Sequence, residues 1–286
     1  MSLEAAVAAA AGVEVTACRR AAGGSINDAL QMELADGRRA FVKTRRGPRP
    51  GEYAAEAASL AWLRVPDGVR LPAVIAADEA FLAIEWVDSG AFDAAGEEAL
   101  GRGLAAMHTA GAPAFGAFHD GPPELHVGPL GFDAAPSDDW PGFYVERLVR
   151  PLIARALDRG SLSSGGADAV GRACDRMADL AGPAEPPARL HGDLWSGNVL
   201  AGADGGAWLI DPIAYGGHRE VDLAMLRLFG APSRRVLDAY EEVAPLADGH
   251  ADRVPLWQLL PLMIHAVLFG GGYGAQAERA ARRFVG

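Results

Sequence analysis

The chain has 286 residues, half of them hydrophobic, which is enough for a large core and two lobes and excludes a disordered polymer. A formal net charge of −11 and a pI near 5.1 exclude nucleic acid or an anionic membrane as the main partner, because both demand a basic face. The two cysteines, Cys18 and Cys174, fit no metal pattern and are expected as reduced, partly buried thiols of a cytoplasmic, monomeric protein.

Met1 to Ala11 carries Glu4 and lacks a basic flank, so it makes a poor secretory signal. Residues 13–46 alternate in a strand-like way. Val13 to Thr16 leads to a break at Gly23-Gly24-Ser25, Ala29 to Leu34 runs into an Asp36-Gly37 turn, and Ala40 to Lys43 returns. Helical spacing follows over Glu52 to Leu63, with Tyr53, Leu60 and Leu63 on one stripe. Two further strand-like runs are Ala73 to Ile75 and Phe81 to Ile84.

From Glu97 onward the pattern turns helical, with candidates over 97–110, 140–159, 167–181, 220–229, 233–242 and 254–270. The last is strongly apolar, yet Gln258, Pro261, His265 and its length argue for a buried helix rather than a membrane span. The expected class is α+β. An N-terminal antiparallel lobe with one main helix (1–87) precedes a larger, mostly helical lobe (88–286), with the joint at 85–90.

The densest chemical signal is His191-Gly192-Asp193-Leu194-Trp195-Ser196-Gly197-Asn198, followed by Ile210-Asp211-Pro212. An aspartate, an asparagine five residues later and a second aspartate at a strand end form a phosphoryl-transfer constellation. The first accepts a hydroxyl proton, and the other two hold Mg²⁺ against nucleotide phosphates. A hairpin about an Asp204-Gly205 turn would set Asn198 opposite Asp211 at its open end, with Asp193 on the loop feeding it. Either fragment alone would pass for an ordinary polar loop.

Lys43 ends the third strand, and Glu56 lies within the apolar stripe of the next helix. A carboxylate on a buried face needs a cation, and a lysine so held can reach ATP phosphates. The alternative is a surface lysine and a helix-edge glutamate that never meet. Gly23, Gly24, Ser25, Ile26 and Asn27 would form a flap over the phosphates, although such a run by itself is as well explained by a tight turn. Glu85, Trp86 and Val87 stand at the joint, where in a kinase-like protein main-chain groups meet the adenine.

With these residues the chain resembles the fructosamine kinases (ketosamine 3-kinases), relatives of protein kinases and aminoglycoside phosphotransferases. The similarity runs through Phe41-Val42-Lys43-Thr44, Glu56 to Leu60, Leu104 to His108, His191 to Asn198, Tyr215 to Met225 and Leu268-Phe269-Gly270. It implies a bilobal protein-kinase-like fold, ATP and Mg²⁺ as cofactors, and a small-molecule or protein-bound ketoamine sugar as acceptor.

By the same resemblance Asp193 is the base toward the sugar 3-hydroxyl, and Asn198 and Asp211 are the metal ligands. Trp195 is the aromatic wall of the acceptor pocket, with plain loop packing as its alternative. Asp222 orders the catalytic loop, and His108 and His265 are buried structural histidines. Ser25 stands where some members carry a redox-active cysteine, so that control should be absent. The stretch Gly116 to Asp139 departs from the family pattern and leaves the acceptor open. Competing readings are a kinase of an aminoglycoside, choline or homoserine, and a nucleotide-gated binding module without turnover.

Overall fold

The computed structural model describes residues 1–21, 28–116, 124–230 and 232–285. Five antiparallel strands form the first sheet: β1 (Val15–Arg20), β2 (Asp28–Leu34), β3 (Arg39–Thr44), β4 (Val74–Ala77) and β5 (Phe81–Glu85), in the order β1-β2-β3-β5-β4. β1 begins two residues later than the alternation suggests and runs on to Arg20.

Strand parity sorts the sheet into two faces. Val42, Phe81 and Ala83 join Val7, Met32, Ala40 and Ala76 in one cluster beneath α1 (Leu3–Ala11). Leu82 and Ile84 join Tyr53, Leu60 and Leu63 of α2 (Glu52–Leu63) in another. Lys43 pairs across the ladder with Leu82, so it shares the α2 side. The helix α1 was not expected. It is an alanine-rich segment capped by Ser2 and closed by Gly12 at φ 68, and alanine's helix propensity accounts for it.

The second half begins with α3 (Ala94–Thr109), capped by Asp93. A hairpin of β6 (Glu124–Val127) and β7 (Leu130–Asp133) occupies the Gly/Pro/Asp-rich stretch that carried no strand signal. The expected 140–159 helix is one run in three geometries: α4 (Trp140–Gly142), a π-helical segment Phe143–Val149, and α5 (Arg150–Asp158). Then follow α6 (Ser164–Asp175) and α7 (Met177–Leu180), and the short strands β8 (Ala188–Leu190), β9 (Val199–Ala201), β10 (Ala207–Leu209) and β11 (Tyr215–Gly217). Five helices complete the chain: α8 (Glu220–Leu226), α9 (Arg234–Val243), α10 (His250–Trp257), α11 (Leu259–Phe269) and α12 (Tyr273–Val285).

The apolar 254–270 segment is thus two helices. Leu259 to Ile264 of α11 are all buried, and among the described residues no helix is long and apolar enough to cross a membrane. α12, set off by Gly270, Gly271 and Gly272, was missed. Cys174 is buried as expected, but Cys18 is exposed, on the outermost strand of the sheet.

α3 and α9 approach closely at Gly101, where an added Cβ would lie 2.1 Å from the Val236 carbonyl oxygen. Because that obstacle is backbone, Gly101→Ala must shift one helix. We expect a loss of about 2 kcal/mol and a fall in Tm of roughly 5 °C, read by thermal unfolding.

Candidate active site

Strand parity and the α2 stripe bring Lys43 and Glu56 together. Lys43 Nζ lies 2.5 Å from Glu56 Oε1 and 2.5 Å from Asp211 Oδ1. Burial would lower the lysine pKa, but the two carboxylates outweigh it and hold the ammonium above its ordinary value. Burial pushes the Glu56 carboxyl up, against the pull of Lys43. Asp211 is the exposed end of the trio, with 45% of its side chain accessible. A second tie joins the same elements, since the Ala214 N–H donates to Ser59 Oγ of α2 at 3.4 Å.

Asp193 lies on the loop between β8 and β9, and the buried carboxylate of Asp222 shapes that loop. Asp222 accepts the backbone N–H groups of His191 at 2.6 Å and Gly192 at 3.0 Å. His108 Nε2–H donates to the same carboxylate at 3.3 Å, while its Nδ1 is hydrogen-bonded to the Tyr240 hydroxyl at 2.9 Å. α3 and α9 therefore reach the loop through this pair. Asp222 plays the ordering role expected of it, and His108 is a buried structural histidine.

His191, whose ring had no expected role, closes the other side. Its Nε2–H donates to the Ile210 carbonyl at 2.9 Å, and its Nδ1 accepts the Asp193 N–H at 3.3 Å. Burial keeps this imidazole below its ordinary pKa and neutral, as an accepting Nδ1 requires. Gly192 is needed at φ 81, because a Cβ there would lie 2.0 Å from the Ile213 carbonyl oxygen.

The β9–β10 hairpin forms, but its register differs by one residue from a two-residue Asp204-Gly205 turn. Leu209 faces Val199, and the loop closes from Gly202 to Gly206. The longer loop arises because Asp204 Oδ1 accepts the Gly206 N–H at 3.1 Å while its carboxylate also pairs with Arg70. Ile210, not Asp211, therefore meets Asn198, donating its N–H to the Asn198 carbonyl at 3.1 Å. Asp211 follows at φ 57, a left-handed conformation costly for a non-glycine residue. That turn sends its carboxylate back toward Lys43.

Asn198 Nδ2 donates to the Asp193 carbonyl at 2.8 Å and to Asp193 Oδ2 at 2.9 Å. With the amide nitrogen so engaged, Asn198 Oδ1 remains as an oxygen donor, and Asp211 follows Ile210, the residue paired with Asn198. Among the described residues no three His, Cys, Asp or Glu side chains form a metal cluster. An amide oxygen and a carboxylate are the kind of hard oxygen donors that fit Mg²⁺, which takes few protein ligands.

At the joint, the Glu85 N–H donates to Ala73 (2.8 Å) and the Trp86 N–H to Arg39 (3.0 Å). Of these three residues only Val87 has an N–H without a hydrogen-bond partner among the described residues. Trp195 is 38% exposed and meets Phe229 edge-on. His265, expected as a buried histidine, is only partly buried and stands among rings. Gly23, Gly24, Ser25, Ile26 and Asn27 lie outside the described residues. Phe229 and Tyr273 carried no signal, being single aromatic residues outside any motif.

Burial, helped by the charges of Asp211 and Asp222 and opposed by the Asn198 hydrogen bond, pushes Asp193 up to about 7. An unfolded aspartate titrates near 4. The folded carboxyl thus holds its proton more tightly, and the stability this adds at low pH is lost as pH rises from about 4 through about 7. In chelator, Asp193→Asn should melt above the unsubstituted protein, by a margin that grows from pH 5 to pH 8 in thermal scans.

A fructosamine kinase family model matches residues 2–285. A probable ketoamine kinase of Thermus thermophilus is 37% identical over 242 residues, covering 85% of this chain and 86% of its own. A crystal structure from Thermobifida fusca, of a protein named as a candidate fructosamine-3-kinase, superposes with a TM-score of 0.92 at 44% identity, covering 99% of this chain and 98% of that one. A choline kinase of Streptococcus pneumoniae shares the fold at TM-score 0.62 and 15% identity, covering 99% and 97%. The fold is therefore the bilobal α+β architecture of the protein-kinase-like phosphotransferases, and the chain belongs to the fructosamine kinase family.

Proposed function

We propose that the protein transfers the γ-phosphoryl group of ATP to the 3-hydroxyl of a ketoamine, a ribulosamine or fructosamine adduct of an amine or a protein lysine. The observation that carries this reading is the pairing of Asp193 with Asn198 beside an Asp211 carboxylate already bound to the Lys43–Glu56 pair. Family membership across nearly the whole chain supports the ketoamine as acceptor.

Asp193 receives the hydroxyl proton as the acceptor oxygen bonds to the γ-phosphorus and the bond to the bridging oxygen breaks, releasing ADP. Lys43, steadied by Glu56, faces the phosphates, and the Val87 N–H with neighbouring carbonyls meets the adenine edge. Asn198 Oδ1 and the Asp211 carboxylate would hold Mg²⁺, which neutralises phosphate charge when bound. Trp195 offers an apolar ring face to the sugar. Most of the protein's contribution is alignment and charge compensation.

A phosphate on C3 is β to the carbon left electron-rich when the C2 carbonyl enolises, so it departs readily. The adduct then falls apart and frees the amine, which makes deglycation the outcome. Two unpaired cysteines support action in a reducing compartment such as the cytoplasm.

In a coupled ATP-consumption assay we expect turnover of a ribulosamine or fructosamine and none of choline or an aminoglycoside. Asp193→Asn should keep nucleotide affinity within a few-fold while kcat falls by roughly a thousandfold or more. Near-normal turnover in that variant removes Asp193 from the role of base.

A further inference from the structure

Arg189 is the middle residue of β8, two residues before His191, and has no part in the chemistry proposed above. Its Nε–H donates to the Gly111 carbonyl at 2.8 Å, and a terminal N–H donates to the Trp62 carbonyl at 2.5 Å. The guanidinium carbon stands 5.0 Å from the centre of the Trp62 indole. Gly111 follows the end of α3, and Trp62 lies in the last turn of α2. Three segments thus meet at one side chain: the strand entering the catalytic loop, the end of the helix that carries His108, and the helix that carries Glu56.

The contact is chemically well matched. The last carbonyls of a helix lack partners within it and carry the negative end of its dipole. A guanidinium answers both, and its planar face stacks on an indole as an ammonium cannot. Trp62 is buried, so water is kept from one side of the stack. The rest of α2 is also built into the second lobe. Leu60 and Leu63 share a cluster with Leu104 of α3 and Leu194 of the catalytic loop, and Ser59 Oγ accepts the Ala214 N–H at 3.4 Å.

We propose that Arg189 is a positioning residue for phosphoryl transfer: by holding the end of α2 against β8, it aligns the Lys43–Glu56 pair with the loop that bears Asp193. This inference rests on the phosphate-transfer part of the reading above and not on the identity of the acceptor. Glu56 lies six residues before Trp62 on one helix, about 9 Å along its axis. Asp193 lies four residues beyond Arg189. A tilt of α2 at its Trp62 end therefore moves Glu56, and with it the Lys43 ammonium 2.5 Å away, relative to the base. Transfer by alignment tolerates little of that. Arg189 acts through Glu56 and touches no reactant.

The test is steady-state kinetics in the coupled ATP-consumption assay for Arg189→Met and Arg189→Lys, each made alone and together with Glu56→Gln. We expect Arg189→Met to lower kcat/KM for MgATP about tenfold, with the acceptor KM changed by less than about twofold. Arg189→Lys keeps a donor for the Trp62 carbonyl and should lose only about threefold. With Glu56→Gln already in place, neither substitution should cost more, because the group it acts through is gone. A merely structural role lowers the rate by the same factor in both backgrounds. That result overturns the inference, as does an unchanged rate in Arg189→Met. If Arg189→Met does not fold, Arg189→Lys in the two backgrounds decides by the same comparison. An unsubstituted protein that consumes no ATP with a ketoamine, choline or an aminoglycoside overturns the phosphotransferase reading itself, a result distinct from equal losses in an active enzyme.

Discussion

The Lys43 ammonium is buried and shared, 2.5 Å from Glu56 on α2 and 2.5 Å from Asp211 beyond β10. An ion taken out of water costs several kcal/mol unless it is answered at close range, so the Lys43–Glu56 pair cannot separate without stranding a buried charge. This one contact fixes how α2 sits on the sheet and how the segment after β10 meets both. Two carboxylates on one ammonium also leave an excess negative charge, and it falls on Asp211, the exposed member. A second cation at that edge is electrostatically favoured, which is the condition a magnesium-nucleotide site requires.

The loop that carries Asp193 depends on Asp222 in the same way. Its buried carboxylate takes two loop N–H groups and the His108 ring, and His108 is held by Tyr240 on α9. α3 and α9, which approach closely at Gly101, are thus both tied by hydrogen bonds to the loop that carries Asp193. His191 completes the frame by linking the Asp193 N–H to the Ile210 carbonyl. On the proposed reading such rigidity matters, because catalysis by alignment loses much of its gain when the base is slightly misplaced.

Where local periodicity and local chemistry agreed, the elements were legible. α2 spans Glu52–Leu63 as its spacing required, and the hairpin carrying Asn198 exists. Its register was not legible, because the Asp204–Arg70 pair that shapes the loop joins residues far apart in sequence. α1 passed unnoticed because a run of alanines has helix propensity but little amphipathic contrast. Cys18 was misjudged because strand position does not reveal which strand lies at the edge.

The chain alone singled out the groups that are proposed to do the chemistry. Asp193, Asn198, Asp211, Lys43 and Glu56 were identifiable because proton transfer, metal ligation and phosphate binding each admit few residue types, and the spacing of the loop residues is local. Only the tertiary structure could decide what steadies those groups and what lies beside them. The left-handed turn at Asp211, the neutral ring of His191 and the tie from Arg189 to the end of α2 all arise from contacts between segments distant in sequence. Such contacts depend on how faces meet in three dimensions, and no spacing along one strand or helix encodes them.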